Sequence, residues 1–173
     1  MSYLAALSAR TWRAIRTAPK GRDWLEAAGL FAVMGAAQLS LGFSTGLYHF
    51  RPSTGGWPMV VLTTFIAPGL GEEIPFRAAF VPGHDETARP ALAIVVTTAV
   101  FTTWHLVEGL TFLPGAWGLF SRPDFLACAA ILGLACAISR WRSGSVWPAV
   151  AIHTAMVVAW KLWLGGPTPQ ELT

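Results

Sequence analysis

The chain has 173 residues, of which 54% are hydrophobic and only 12% are charged, and its mean hydropathy is +0.51. A soluble domain carries about 25% charged residues, so this composition excludes an ordinary soluble protein and predicts a membrane protein of one domain. The formal net charge is +3, and a basic cluster precedes the first long apolar run. Because almost everything after that cluster is apolar, we expect no nucleic-acid partner.

Residues 1–22 form a basic N-terminal segment in which apolar and positively charged side chains alternate. The apolar positions are Leu4, Leu7, Trp12 and Ile15, and the basic positions are Arg10, Arg13, Arg16, Lys20 and Arg22. This pattern predicts an amphipathic helix that lies on an anionic membrane surface. A frayed basic tail is the alternative. The segment lacks the continuous apolar stretch and the cleavage site of a signal peptide.

Five later segments are long and apolar enough to cross a bilayer, which takes about 20 residues. They cover residues 24–47, 57–81, 90–110, 123–141 and 145–164. No repeat or linker divides them, so we predict one transmembrane domain over residues 23–164, followed by a flexible tail over 165–173. The expected fold class is an all-α membrane bundle of about five transmembrane helices with an amphipathic helix at the N-terminus.

The distribution of basic residues between the loops predicts the orientation. With the N-terminus inside, eight Lys and Arg residues outside the motif described below lie on the inner side and three lie on the outer side. Cytoplasmic loops carry an excess of Lys and Arg. We therefore expect a protein integral to the cell membrane, with the lipid bilayer as its surroundings and the N-terminus in the cytoplasm.

The second predicted span contains three charged residues, Glu72, Glu73 and Arg77, inside an apolar run. Charges at membrane depth cost roughly 2.5–3.5 kcal/mol each, so they are rare and usually functional. Glu73 and Arg77 are one helical turn apart, which favours a neutralised structural pair. Glu72 points about 100° away from Glu73 around the helix and has no partner on its own helix.

Two histidines, His105 and His153, lie inside later predicted spans. At 1.5 Å per residue, Glu72 and His153 each lie about 13 Å from the inner end of their spans, and His105 lies about 22 Å from its inner end. His105 matches the other two only if its span begins outside the hydrocarbon core or tilts. Glu108 follows His105 by three residues, toward the outer end of the span, and we interpret it as interfacial.

A carboxylate and two imidazoles at compatible depths support three kinds of chemistry. They can deprotonate a water molecule for hydrolysis, hold a metal such as zinc, or relay protons in a carrier. The absence of inverted repeats argues against the carrier. The sequence contains no His-Glu-x-x-His motif, so it does not predict that kind of zinc protease site.

These residues resemble the CAAX protease and bacteriocin-processing family, the Abi family of glutamic-type intramembrane endopeptidases. The family's three motifs are Glu-Glu-x-x-x-Arg, Phe-x-x-x-His and His-x-x-x-Asn. They correspond here to Glu72–Arg77, to Phe101–His105, and to a third motif that begins at His153. The resemblance covers residues 57–164.

The resemblance implies an enzyme that cuts a membrane-associated peptide or protein near the cytoplasmic face. Glu72 would be the general base that activates water. His105 and His153 would orient that water and stabilise the oxyanion, or bind a metal together with Glu72. Supporting roles fall to Glu73, Arg77 and Phe101. No cofactor is expected, and zinc is the alternative.

The third motif departs from the family pattern, because Val157 stands where the family has Asn, and the chain contains no Asn at all. Trp160 lies seven residues after His153 on roughly the same helix face, and its indole N–H is our candidate oxyanion donor. Thr98 and Gln38 are further candidates. A non-catalytic membrane protein of the same fold, acting in immunity or partner binding, is the alternative function.

Overall fold

The computed structural model describes residues 2–53, 55–86 and 89–167, and within these ranges the fold is built from seven helices and no strands. In chain order they are α1 (Tyr3–Arg16), α2 (Gly21–Thr45), α3 (Trp57–Ala79), α4 (Pro90–Thr111), the short α5 (Trp117–Phe120), α6 (Pro123–Ser143) and α7 (Trp147–Trp163). Most of the tail predicted at 165–173 lies outside the described residues.

Four helices, α2, α3, α4 and α6, are long and apolar enough to cross a membrane. The fifth predicted span corresponds to α7, which has 17 residues. These rise about 25 Å, a little less than the hydrocarbon core of about 30 Å. The helical membrane bundle is therefore confirmed, and a full crossing by α7 stays a prediction.

Helix α6 is the centre of the bundle and packs against α2, α4 and α7. Its sequence is rich in Ala, Gly and Cys, and small residues let neighbouring helices approach closely in a membrane. At Gly133, a Cβ atom would lie 2.9 Å from the Phe101 ring and 3.1 Å from Nη2 of Arg77. Gly133 therefore makes the room in which these two side chains pack. Cys128 and Cys136 are buried and free, as expected for small apolar helix residues.

Helix α3 is irregular around its charged residues. Two π-helical stretches, Phe65–Leu70 and Ile74–Ala79, flank a single α-helical stretch at Gly71–Glu73. Each π stretch contains a proline, Pro68 or Pro75, which has no backbone N–H to donate. The prolines predict a helix with interrupted backbone hydrogen bonding, and the helix has π turns at both positions. Turns of this kind are often found at functional sites.

The offset between α3 and α4 explains the depth of His105. The rings of Phe76 and Phe101 lie 5.5 Å apart, so α3 and α4 meet at these two positions. Helix α3 continues about 4 Å beyond Phe76, whereas α4 begins about 16 Å before Phe101. Helix α4 therefore starts well beyond the end of α3, as it must if His105 is to match the depth of Glu72.

The predicted N-terminal helix is present as α1, and it docks on what we call the basic end of the bundle, where α1, residues 80–86 and the α6–α7 turn meet. The backbone N–H of Val146 donates to Ala14, and the indole of Trp147 donates to Ile15. The large side chains of Tyr3, Leu4 and Trp12 remain exposed. These contacts favour the helix over the frayed tail.

Glu86 ties α1 to the basic end. Its Oε2 accepts a hydrogen bond of 2.8 Å from Nε of Arg10, and its Oε1 lies 3.6 Å from Arg13 and 3.9 Å from Arg140. Burial raises the pKa of Glu86, but the hydrogen bond from Arg10 and the nearby positive charges outweigh burial and hold that pKa below its ordinary value. A carboxyl group with a lowered folded pKa stabilises the fold above its unfolded pKa, and this contribution is lost as the pH falls through the folded value.

Glu86→Gln is expected to lower the free energy of unfolding by about 3 kcal/mol at neutral pH, because it leaves the buried Arg140 without its carboxylate. In acid the difference from wild type should narrow, since wild-type Glu86 becomes protonated there. Thermal unfolding of the detergent-solubilised proteins across a pH series measures this. If the difference in unfolding free energy between wild type and Glu86→Gln stays constant with pH, Glu86 is not the charged partner of Arg140.

Candidate active site

Three buried polar side chains lie together in the core of the bundle. Glu73 and Arg77 are fully buried and His153 is 2% exposed. Oε1 of Glu73 lies 2.8 Å from Nδ1 of His153, and Oε2 lies 3.4 Å from Nε of Arg77. The predicted Glu73–Arg77 pair is therefore present, and Glu73 in addition holds His153. Because the carboxylate accepts from Nδ1–H, Nε2 of a neutral His153 is left as an acceptor.

Glu72 faces the other nitrogen of the same histidine. Its Oε2 lies 3.9 Å from Nε2 of His153, which is longer than a hydrogen bond. This oxygen is buried and has no hydrogen-bond partner among the described residues. The side chain as a whole is 16% exposed, whereas that of Glu73 is not exposed at all. Of the two adjacent glutamates, Glu72 thus has the partly exposed side chain and a buried oxygen without a hydrogen-bond partner among the described residues.

Phe101 links Arg77 to the two histidines. Its ring centroid lies 3.9 Å from the guanidinium carbon of Arg77, a distance typical of a cation–π contact. The same ring meets His105 edge-on at 5.0 Å and His153 at 5.8 Å. Phe101 therefore packs against both imidazoles while it covers a buried cation.

His105 occupies an aromatic pocket beside this centre. Its Nδ1 lies 3.1 Å from the carbonyl oxygen of Phe101, one turn back on α4, and the rings of Phe120 and Phe125 pack on it. If Nδ1–H donates to that carbonyl, Nε2 is left free. His105 and His153 line a common cavity of about 60 Å³, which exceeds the roughly 10–15 Å³ that one water needs. Glu72 is not one of the described residues that line it.

The candidate oxyanion donors differ in their relation to this cavity. Trp160 lines it, and its indole Nε1 is buried without a hydrogen-bond partner among the described residues. Gln38 also lines it, but its amide nitrogen already donates to the carbonyl of Cys128 at 2.7 Å. The Thr98 hydroxyl has no hydrogen-bond partner in the described part of the chain, but Thr98 is not among the described lining residues. Val157 lines the cavity near Trp160, where the family has Asn.

Glu108, which the sequence interpretation places at the interface, is a third carboxylate near the site. It is half-buried and lies close enough to Glu72 and His153 to interact electrostatically with both. The packing of Trp104 on Phe76, with ring centroids 6.1 Å apart, brings this part of α4 toward α3. The sequence indicates this proximity through spacing, because Glu108 follows His105 by three residues and therefore lies near the same face of the helix.

The candidate zinc ligands do not form a metal-binding group. Among the described residues, no three His, Cys, Asp or Glu side chains are arranged to hold a metal ion. This holds for Glu72, His105 and His153 as well. Each imidazole uses Nδ1 within the protein, for Glu73 or for the Phe101 carbonyl, which leaves Nε2 as its remaining ring nitrogen.

Fold and site together define a helical membrane protein with carboxylates, a guanidinium and imidazoles in its core. A family model described as type II CAAX prenyl endopeptidase Rce1-like matches residues 54–159, which is more than half of the chain and contains all three motifs. The chain belongs to the Rce1-like type II CAAX prenyl endopeptidase family. No curated protein and no solved structure matches it. This membership confirms the family that the motifs suggested. It supports a function of the intramembrane protease kind, of the CAAX type.

Proposed function

We propose that this protein is an intramembrane endopeptidase in which Glu72 activates a water molecule to hydrolyse a peptide bond of a membrane-associated substrate. The observation that carries the proposal is the placement of an unpaired Glu72 oxygen 3.9 Å from Nε2 of His153, while Glu73 fixes the same imidazole through Nδ1. General bases have to be positioned within hydrogen-bond reach of the proton they remove, directly or through one water.

In the proposed reaction, a water molecule donates one hydrogen bond to Glu72 and one to Nε2 of His153. Its oxygen attacks the peptide carbonyl carbon as Glu72 takes the proton, which gives a tetrahedral intermediate with a negative oxygen. Collapse of the intermediate breaks the C–N bond, and Glu72 returns the proton to the leaving amine. His105 orients the reacting groups from the cavity side, and Glu73, Arg77 and Phe101 hold His153 and the charge around it in place.

The proposal extends to where the substrate meets the enzyme. The excess of basic loop residues supports an N-terminus in the cytoplasm, and in the proposed orientation the basic end of the bundle lies on the cytoplasmic side. The substrate is a peptide or protein that reaches the site from the bilayer. The family description names CAAX prenyl endopeptidase activity, so a prenylated peptide is the first substrate to test, beside an unprenylated membrane peptide.

The test is cleavage of both peptides by the full-length protein in lipid vesicles, with products identified by mass spectrometry. Under the glutamic mechanism we expect cleavage that persists in the presence of a metal chelator. Loss of cleavage with chelator, restored by zinc, would support a metal-dependent mechanism. Binding of a peptide without any cleavage would support a non-catalytic immunity or partner-binding protein, which is the function that Val157 in the Asn position favours.

Trp160→Phe tests the proposed oxyanion donor. Phenylalanine preserves most of the packing against Tyr48 and Phe125 but has no N–H. Removing one oxyanion donor typically lowers kcat by about 10²–10³-fold, and we expect a loss of this size with little change in KM.

Thr98→Val is the matched control for Trp160→Phe, because it also removes a buried, unpaired donor but one that does not belong to the described lining of the cavity. It should leave kcat near the wild-type value. The assignment of Trp160 fails if Trp160→Phe cleaves as fast as the wild-type protein, or if Thr98→Val loses as much activity as Trp160→Phe.

A further inference from the structure

A second cavity, of about 250 Å³, lies at the basic end of the bundle, away from the catalytic histidines. It is formed where the α1–α2 connection, the loop after α3 and the α6–α7 turn come together. Four of its lining residues carry a positive charge: Arg13, Lys20, Arg22 and Arg142. The cavity is large enough to hold a chemical group many times the size of a water molecule.

A buried guanidinium lies directly behind the wall of this cavity. Arg140 is fully buried, and none of its three guanidinium nitrogens has a hydrogen-bond partner among the described residues. Gly83 lines the cavity, and a Cβ atom on it would lie 3.5 Å from Nη1 of Arg140. Because Gly83 has no side chain, it leaves this charge close to the cavity. A buried charge with incomplete pairing is costly, so an anion placed here would be favoured.

Three acidic residues also line the cavity, Asp23, Asp85 and Glu86, and they offset part of its positive charge. The carboxylate of Asp23 accepts the backbone N–H of Lys20 at 2.7 Å. Asp85 is mostly exposed and lies 2.9 Å from Nε2 of His84. Glu86 is shared by three guanidinium groups, so it neutralises only one of the three charges.

Three of the four basic lining residues have a carboxylate partner. Arg13 lies 3.6 Å from Glu86, Arg22 lies 3.9 Å from Glu26, and Arg142 is bound by Glu26 through two hydrogen bonds. The Lys20 side chain takes part in none of the ion pairs between described residues. Four basic and three acidic residues line the cavity and the buried Arg140 lies behind it, so an excess of positive charge remains.

The neighbouring helix indicates that the occupant comes from the bilayer. Helix α1, whose last turns line the cavity, exposes Trp12 (55%) next to Arg13 and exposes Tyr3 (72%) and Leu4 (75%) toward its other end. Aromatic and apolar side chains of this kind lie at the membrane–water interface, and basic pockets between membrane helices bind anionic lipid headgroups. We propose that this cavity binds the phosphate-bearing headgroup of an anionic phospholipid, which Arg13 and Lys20 contact directly and which Arg140 attracts from behind Gly83. This inference does not depend on the proposed catalytic function.

The test is isothermal titration calorimetry of the full-length protein in neutral detergent with short-chain phosphatidylglycerol. Arg13→Gln and Lys20→Gln are each expected to weaken binding about fivefold, because one basic residue near anionic lipid contributes about 1 kcal/mol. Arg16→Gln is the matched control. It removes the same charge from the same helix, but Arg16 lies over the ring of Trp12 at 4.4 Å and is not part of the described lining. Its binding should equal that of the wild-type protein.

Short-chain phosphatidylcholine and inorganic phosphate are the two comparison ligands, and both should bind clearly more weakly than phosphatidylglycerol. Equal binding of inorganic phosphate would overturn the headgroup assignment in favour of a free-anion site. Equal weakening by Arg16→Gln and Arg13→Gln would overturn the site itself, since it would indicate diffuse attraction to the basic helix. If Arg13→Gln does not fold because it loses Glu86, Lys20→Gln alone decides the result.

Discussion

Replacing Glu72 with Gln is expected to lower the rate of peptide cleavage by about 10²–10⁴-fold, the contribution of a positioned general base. Glutamine keeps the shape of the side chain but cannot take a proton from water. The stability of the protein should change little, because the buried Glu72 oxygen has no hydrogen-bond partner among the described residues whose loss would weaken the fold. Activity and stability are therefore separable at this position.

Single-turnover cleavage in vesicles and thermal unfolding in detergent measure the two effects of Glu72→Gln. Asp85→Asn is the control, since it removes a carboxylate that is 84% exposed at the basic end of the bundle, and it should cleave like the wild-type protein. Cleavage at the wild-type rate by Glu72→Gln would exclude Glu72 as the general base.

Replacing the adjacent Glu73 with Gln is expected to have its main effect on stability, with a loss of about 3–5 kcal/mol in the free energy of unfolding. The reason is that Arg77 is fully buried and none of its guanidinium nitrogens has a hydrogen-bond partner among the described residues, so Glu73 supplies its compensating charge. Breaking a buried ion pair from one side leaves an uncompensated charge in the core. Activity should fall as well, because a neutral amide oxygen holds the Nδ1–H of His153 more weakly than the carboxylate of Glu73 does.

The double variant Glu73→Leu with Arg77→Met distinguishes the energetic cost of an unpaired buried charge from the cost of lost side-chain packing. When both charges are replaced by apolar side chains of similar size, a buried pair often costs little. We therefore expect the double variant to be more stable than Glu73→Gln in denaturant unfolding. A Glu73→Gln variant as stable as the wild-type protein would contradict the role of Glu73 as the partner of Arg77.

The sequence predicted those parts of the site that depend on one helix or on depth in the membrane. The Glu73–Arg77 pair follows from i,i+4 spacing, and the matching depths of Glu72 and His153 follow from the helical rise. The helical membrane bundle follows from composition and segment length, because backbone groups in a bilayer have to be satisfied within the spanning segment.

The contacts between helices were beyond sequence reasoning. The bond between Glu73 and His153 joins residues 80 positions apart and depends on how α3 packs against α7. The axial offset of α4 and the approach of Glu108 to Glu72 depend on the packing of Phe76 against Phe101 and Trp104. Helical periodicity gives the face and the depth of a residue, but it does not give the shift or rotation of one helix relative to its neighbour.

The central claim is the division of work between two adjacent glutamates, Glu72 for chemistry and Glu73 for structure. The most direct test measures the single-turnover cleavage rate and the unfolding midpoint of Glu72→Gln and Glu73→Gln in one preparation. We predict that Glu72→Gln loses cleavage and keeps the wild-type midpoint, while Glu73→Gln unfolds at a markedly lower temperature. A Glu72→Gln variant that cleaves normally, or that loses activity only because it unfolds, would contradict the account.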